Sequence, residues 1–238
     1  MYNRFSGQEG DCWYVQLLRR QADDPMINGQ KDPSYHGNMH SRSIKDYLIR
    51  SSEHLEQVKQ DIIALCKMFN VRAYIRLNKR NYKNIALEMM KHIAEQCASG
   101  ETFSSPYHLI SSACGKCCQA GENKTWLIDL DSEYLQYESQ IIDMICECEP
   151  YKTHIQHNYQ LGQTSETYGA IYGNNYEEAK NCFIRHHIMI IPTKSGKHII
   201  CKPFNKLDFQ KQWDAADCLK TMKMLDMHKD NPTILYVP

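Results

Sequence analysis

Apolar and polar positions along the 238-residue chain fall into runs whose period changes from strand-like to helix-like in a readable order. Cys12 to Leu18 is a near-continuous apolar run that reads as a first strand, ending at Arg19-Arg20. Ala22 to Ser43, rich in Asp, Pro, Gly and Asn, reads as a loop long enough to be functional or mobile. Ile44 to Ile49 predicts a second strand. Ser51-Ser52-Glu53 caps a helix running to about Phe69, with Leu55, Val58, Ile62, Leu65 and Cys66 at helical spacing. Val71 to Leu77 is then a strand, and Tyr82 to Cys97 a helix with Ile85, Met89, His92 and Ile93 on one face. A polar, Gly/Ser-rich stretch from Ala98 to Lys124 closes this α/β half.

The second half predicts strands at Thr125 to Leu130, His187 to Ile191, Lys197 to Lys202 and Thr233 to Val237. Helices are predicted at Ser132 to Cys148 and at Leu207 to Met222, the latter with a break near Ala215. The order is βαββαβ, interrupted by an irregular insertion from Glu149 to about Asn175 that is rich in Tyr, Gly, Asn and Gln. In a ferredoxin-like arrangement of such a unit the first and third strands are central antiparallel neighbours. That topology brings the end of Thr125 to Leu130 beside the start of Lys197 to Lys202.

Composition narrows the class. The chain is 42% hydrophobic, enough for a core, and has no run of 18 apolar residues, so neither a membrane span nor a signal peptide is expected. A cytoplasmic, intracellular protein follows, and its 11 scattered cysteines are expected to be reduced. Net charge is zero but unevenly spread. Residues 101–150 hold 2 Lys and Arg against 9 Asp and Glu. Glu133, Glu138, Asp143, Glu147 and Glu149 in that segment fall on a predicted helix and equally read as a solvated face. Asp129 and Asp131 differ because they interrupt an apolar strand.

Alternation places Asp129 and Asp131 on one face of that strand and Ile128 and Leu130 on the other. Two carboxylates so spaced can bridge divalent cations about 4 Å apart, with substrate phosphates completing the coordination. Ser195-Gly196-Lys197 reads as a hairpin turn with a glycine free to take positive φ. Its backbone N–H groups, the Ser195 hydroxyl, Lys197 and His198 would cradle an anion on the same face, although the tripeptide alone also suits an ordinary exposed turn.

Three segments resemble the archaeo-eukaryotic primase superfamily of nucleotidyltransferases, with particular likeness to the polymerase domain of bacterial end-joining ligases. They are Ile128-Asp129-Leu130-Asp131, then Ser195-Gly196-Lys197-His198, with two residues between Ser and His where one is usual, and then Leu225-Asp226, four residues before Asp230-Asn231-Pro232. The resemblance implies an α/β (α+β) fold in which an N-terminal α/β module, residues 1–110, packs on an RRM-like βαββαβ sheet, residues 111–238. It implies transfer of a nucleoside monophosphate from a nucleoside triphosphate to a 3′-hydroxyl on single-stranded or primed nucleic acid. Asp129, Asp131 and Asp226, with Asp230 as the rival third carboxylate, would hold two Mg²⁺ or Mn²⁺ ions, while Ser195, Lys197 and His198 would position the triphosphate. A helicase or other replication partner would act in trans.

Arg72, Arg76, Lys79, Arg80 and Lys83, interleaved with Tyr74 and Tyr82, would contact the nucleic acid, and equally read as a solvated strand edge and helix start. Cys114, Cys117 and Cys118 with Cys146 and Cys148 offer thiols for Zn²⁺, but the last two diverge on a predicted helix, so a structural zinc is not expected. Two other functions fit parts of the pattern. A metal-dependent phosphoesterase or nuclease would use the carboxylates without the cradle. A non-catalytic RRM-like binding module would display interleaved aromatics in place of the carboxylates and aliphatics found here.

Overall fold

A computed structural model describes residues 9–21, 41–100, 102, 105–118, 124–230 and 232–238. In chain order the elements are β1 (Asp11–Arg20), β2 (Ser41–Ile49), α1 (Ser52–Phe69), β3 (Arg72–Asn81), α2 (Tyr82–Ser99) and α3 (Pro106–Lys116). There follow β4 (Trp126–Asp131), a 3₁₀ helix (Ser132–Tyr137), α4 (Glu138–Cys146), α5 (Tyr151–Gly162), α6 (Glu166–Tyr172) and α7 (Tyr176–His187). The last are β5 (Met189–Pro192), β6 (Gly196–Cys201), α8 (Lys206–Ala215), β7 (Met227–His228) and β8 (Pro232–Tyr236). They form two compact units, Met1–Gly121 with Asp230–Pro238, and Glu122–Lys229, each mixed α/β around an antiparallel sheet. No helix among the described residues is long and apolar enough to cross a membrane.

The first sheet has the order β2-β1-β3-β8. Its central strand β1 is buried on both faces, which is why the sequence there is apolar without alternation. Trp13, Val15 and Leu17 pack with Leu55, Ile62 and Cys66 of α1. On the other face Cys12 and Tyr14 meet Ile85 of α2 and Ala113 and Cys114 of α3. Local signals fix the helix ends. The Ser51 hydroxyl accepts from the His54 amide at 3.1 Å, and Asn70 closes α1 in the left-handed region at φ 49°. The Asn81 side chain accepts from the Lys83 and Asn84 amides to start α2.

The first unit departs from expectation in two places. The stretch Ala98 to Lys124 is not all loop, since Ser105 caps α3 and Pro106 opens it. More consequentially, the last strand, expected in the second sheet, is β8 and pairs with β3 through Thr233↔Ile75 and Ile234↔Tyr74. Residues 111–121 and 230–238 therefore belong to the first unit, not to the second as the expected 111–238 module had it. An ion cluster anchors this return. Asp230 accepts from Arg76 Nη1 at 3.2 Å and Asn78 Nδ2 at 3.3 Å and pairs with the fully buried Arg80, whose Nε also donates to the Cys114 carbonyl at 2.7 Å.

The second sheet has the order β5-β6-β4-β7, with β4 paired antiparallel to β6 on one side and to the two-residue β7 on the other. Its core joins Ile128, Leu130 and Ile199 to Ile141, Ile145, Phe209 and Trp213 from the helices. The expected continuous helix from Ser132 to Cys148 is a 3₁₀ turn followed by α4. α8 does stop at Ala215. The supposedly irregular insertion is helical, as α5 and α6, and leads into α7. Glycines that read as loop signals allow close backbone approach, because a Cβ on Gly162 would overlap the Gly173 carbonyl oxygen. The α5 core stripe is short, Tyr151 and Ile155 with Asn158 and Gly162, so its period was masked by polar neighbours.

Arg80 carries a checkable consequence. Replacing it with Met leaves Asp230 compensated by Arg76 alone, so unfolding free energy should fall by about 3 kcal/mol, the low end for breaking a buried pair. Denaturant titration measures this, and a loss below about 1 kcal/mol would show that the cluster does not anchor β8.

Candidate functional site

The register of β4 on β6 sets the site. Asp129 lies directly across from His198, and Asp131 across from Gly196. Gly196 is not in the positive-φ region expected of it. Its glycine character serves a close approach instead, since a Cβ there would overlap the Leu130 carbonyl oxygen. The turn before it is closed by the Thr193 amide donating to the Gly196 carbonyl at 2.9 Å.

Side chains then sort by face. Ile128 and Leu130 point into the core with Ile199, while Asp129 and Asp131 project from the opposite face, Asp129 half-exposed and Asp131 exposed. His198 shares that face, with Nε2 3.6 Å from Asp129 Oδ1. His228 on β7 sits opposite Leu127 and so joins the same face from the other neighbouring strand. Burial pushes the Asp129 carboxyl above the ordinary carboxylate range; His198 pulls it down, Asp131 pushes it up, and His228 and Asp226 add smaller opposing effects. The hydrogen bond from Lys223, 3.0 Å from Asp226, holds that exposed carboxyl below its ordinary value, with His228 acting in the same direction.

The three segments, spread over about 100 residues of sequence, thus lie around Asp129. Asp226 and Asp230 are placed differently. Asp226 acts on Asp129, whereas Asp230 belongs to the first unit and is engaged by Arg76, Arg80 and Asn78.

Other expected site residues go elsewhere. Lys197 does not join His198, because adjacent strand residues face opposite ways; it pairs with Glu138 at the start of α4. Ser195 is exposed in the turn, so the expected cradle of Ser195, Lys197 and His198 on one face is not assembled. Arg76 and Arg80 are internal counter-charges of Asp230, and Lys79 pairs with Asp11 at 3.4 Å while lying over the Trp13 ring. Of the expected nucleic-acid patch on β3, Arg80 is thus fully buried, and Arg72 lies opposite Leu18 of β1. Cys114 packs in the first unit's core and Cys146 and Cys148 in the second's, and burial pushes each of these thiols up to about 12.

Sequence reasoning missed two members. His228 could have been found as the polar residue two places after Asp226, on its own short strand. Glu138 reads equally as a solvated helix charge in sequence, and the structure makes it the counter-ion of Lys197.

Among the described residues no group of three or more His, Cys, Asp and Glu side chains is placed to hold a metal ion. Asp129 and Asp131 are an open, two-carboxylate set. Such a set suits Mg²⁺ or Mn²⁺ completed by water and substrate phosphate oxygens, and does not suit an ion enclosed by protein ligands alone. Comparison of the chain with protein-family models, with curated proteins and with solved structures finds no match.

The raised Asp129 carboxyl fixes a sign. A folded-state value above the ordinary value of about 3.9 means that this group favours folding at low pH and that its contribution is lost as pH rises through the folded value. Asp129→Asn, which mimics the neutral form, should unfold at a temperature equal to or above wild type at pH 7, with the difference closing below about pH 4. Thermal unfolding across pH tests this, and a clear loss of stability at pH 7 would make Asp129 a structural residue.

Proposed function

We propose that the chain is a metal-dependent nucleotidyltransferase of the primase-polymerase kind, with the second unit as an RRM-like catalytic sheet. One observation carries the reading: the order β5-β6-β4-β7 and the registers Asp129↔His198 and Leu127↔His228 gather Asp129, Asp131, His198 and His228 on one sheet face. That strand order is the one a ferredoxin-like βαββαβ unit adopts, with β7 in the place of the last strand.

In this reading the 3′-hydroxyl oxygen forms a bond to the α-phosphorus of a nucleoside triphosphate and its proton passes to water, while the bond from that phosphorus to the bridging oxygen breaks and pyrophosphate leaves. Asp129 and Asp131 would hold divalent cations completed by water and phosphate oxygens, and Asp226 would join them as a third carboxylate only on leaving Lys223. When bound, the cations supply charge neutralisation on the phosphates and lower the pKa of the attacking hydroxyl. His198 donates to a phosphate oxygen, its ring oriented by Asp129. Lys197, bound to Glu138, steadies the start of β6 and is not itself a phosphate ligand. Single-stranded or primed nucleic acid is the second substrate.

The dispersal of the cradle favours a second reading, since two carboxylates and a histidine also serve hydrolysis in a metal-dependent phosphoesterase. Labelled nucleoside triphosphates, ribo and deoxy, with single-stranded template, with and without primer, in Mg²⁺ or Mn²⁺, separate the two. Longer strands with pyrophosphate release are expected. Shortened strands without pyrophosphate would move the assignment to the phosphoesterase, and neither product, under both metals, to a binding module.

Two variants sharpen the test. Asp131→Ala should abolish product while circular dichroism is unchanged, because its exposed side chain takes no part in the core. His198→Ala should weaken triphosphate affinity by roughly ten- to a hundredfold, the value of about 1.5 to 3 kcal/mol for a charge-assisted contact, with template affinity unchanged. Equal losses of both affinities would overturn the assignment of His198 to the phosphates.

A further inference from the structure

Helix α2 packs Ile85 and Met89 into the first unit's core and exposes a second apolar face to solvent. Its inner face carries Ile85, Met89, His92 and the buried Gln96, while Ile93, expected on that face, lies outside it. At 100° per residue, Tyr82, Ala86, Leu87, Met90, Ile93 and Ala94 fall within one outward arc of about 140°. The four large ones are exposed, at 50%, 52%, 58% and 37% for Tyr82, Leu87, Met90 and Ile93. An apolar stripe running the length of an 18-residue helix marks an interaction surface.

The charges on this helix identify the occupant. Lys83 is the one charge within the arc, at its N-terminal end. The helix has no acidic residue in its first turn and no basic residue in its last, so neither end of its dipole is compensated from within. In an antiparallel pair of two copies, each Lys83 comes to the other's C-terminal turn and supplies the missing cation. The apolar residues are self-complementary in the same arrangement. With Met90 on the two-fold axis, Leu87 meets the second copy's Ile93, and Ala86 meets its Ala94, small residues that let the backbones approach. The chain's zero net charge sets no long-range repulsion against self-association.

We propose that two copies of the chain associate through an antiparallel α2–α2 contact centred on Met90. The helix is about 27 Å long, and two such faces cover on the order of 1,000 Å², the lower bound for a specific interface, so a reversible dimer of micromolar order is expected. The proposal stands independently of the reading of the Asp129 site.

Sedimentation of the full chain over about a hundredfold range around that constant tests it. Wild type should pass from monomer to dimer, and Met90→Glu should remain monomeric with unchanged circular dichroism. In a Cys97→Ser, Cys218→Ser background, Met90→Cys should form a covalent dimer on mild oxidation, because a residue on the two-fold axis faces its own copy. A wild-type chain that stays monomeric throughout, or a dimer that survives Met90→Glu, would overturn the proposal. A dimer that does not cross-link through Cys at position 90 would overturn the antiparallel geometry.

Discussion

The pairing of β4 with β6 is the constraint on which the site depends. Strand alternation admits only two registers of face, and a slip by one residue would carry Asp129 and Asp131 into the core and expel Ile128 and Leu130. Each of those aliphatic side chains, fully buried, contributes about 1.5 to 3 kcal/mol, and burying an unpaired carboxylate costs more. The hydrophobic term therefore holds the carboxylates outward without any need for a ligand. Gly196 adds a local pin: the two backbones approach at Leu130 so closely that no other residue fits, and this fixes which residue lies opposite Asp131. A core-packing requirement thus sets the geometry of the polar face.

That face carries its own conflict. Asp129, Asp131 and Asp226 bring like charges together, and the molecule offsets them with His198, His228 and Lys223, not with the arginines the sequence places elsewhere. The arginines Arg76 and Arg80 are committed to Asp230 in the first unit. Imidazoles and a flexible lysine are weaker, more displaceable partners than a buried guanidinium. The contrast between Asp226 and Asp230, four residues apart, shows how the same side chain becomes a candidate ligand in one unit and an internal anchor in the other.

Much of this was legible from the chain. The helix α1, the strands β1, β4 and β6, the break after Ala215 and the facing of Asp129 against Ile128 all follow from period and capping. What was not legible has specific causes. The five residues of β8 carry strand character but no address, because their partner is chosen by long-range pairing and by the buried Arg80, whose charge reads as a surface feature in sequence. The helices α5 and α6 were hidden because glycines required for helix contact resemble loop punctuation. Lys197 and His198 were grouped because they are adjacent, whereas a strand separates adjacent residues to opposite faces.

The same rule explains why α2 misled the reading of its own face. Ile85, Met89 and Ile93 recur at i, i+4 and i+8, and that spacing drifts by about 40° per step, so the third member has already rotated toward solvent. The helix buries Gln96 in its stead and leaves the larger apolar arc outward. In an isolated monomer this arrangement sacrifices apolar burial that a simple exchange of inner and outer residues would recover. The helix is held by Ile85 and Met89 in the core it shares with β1 and α3, by the Asn81 cap and by the pair of Lys116 with its Glu88 at 2.7 Å, so its inner face fixes its orientation without the outer residues. The outward stripe is then free of any folding role, and association between copies is the interaction that gives it one.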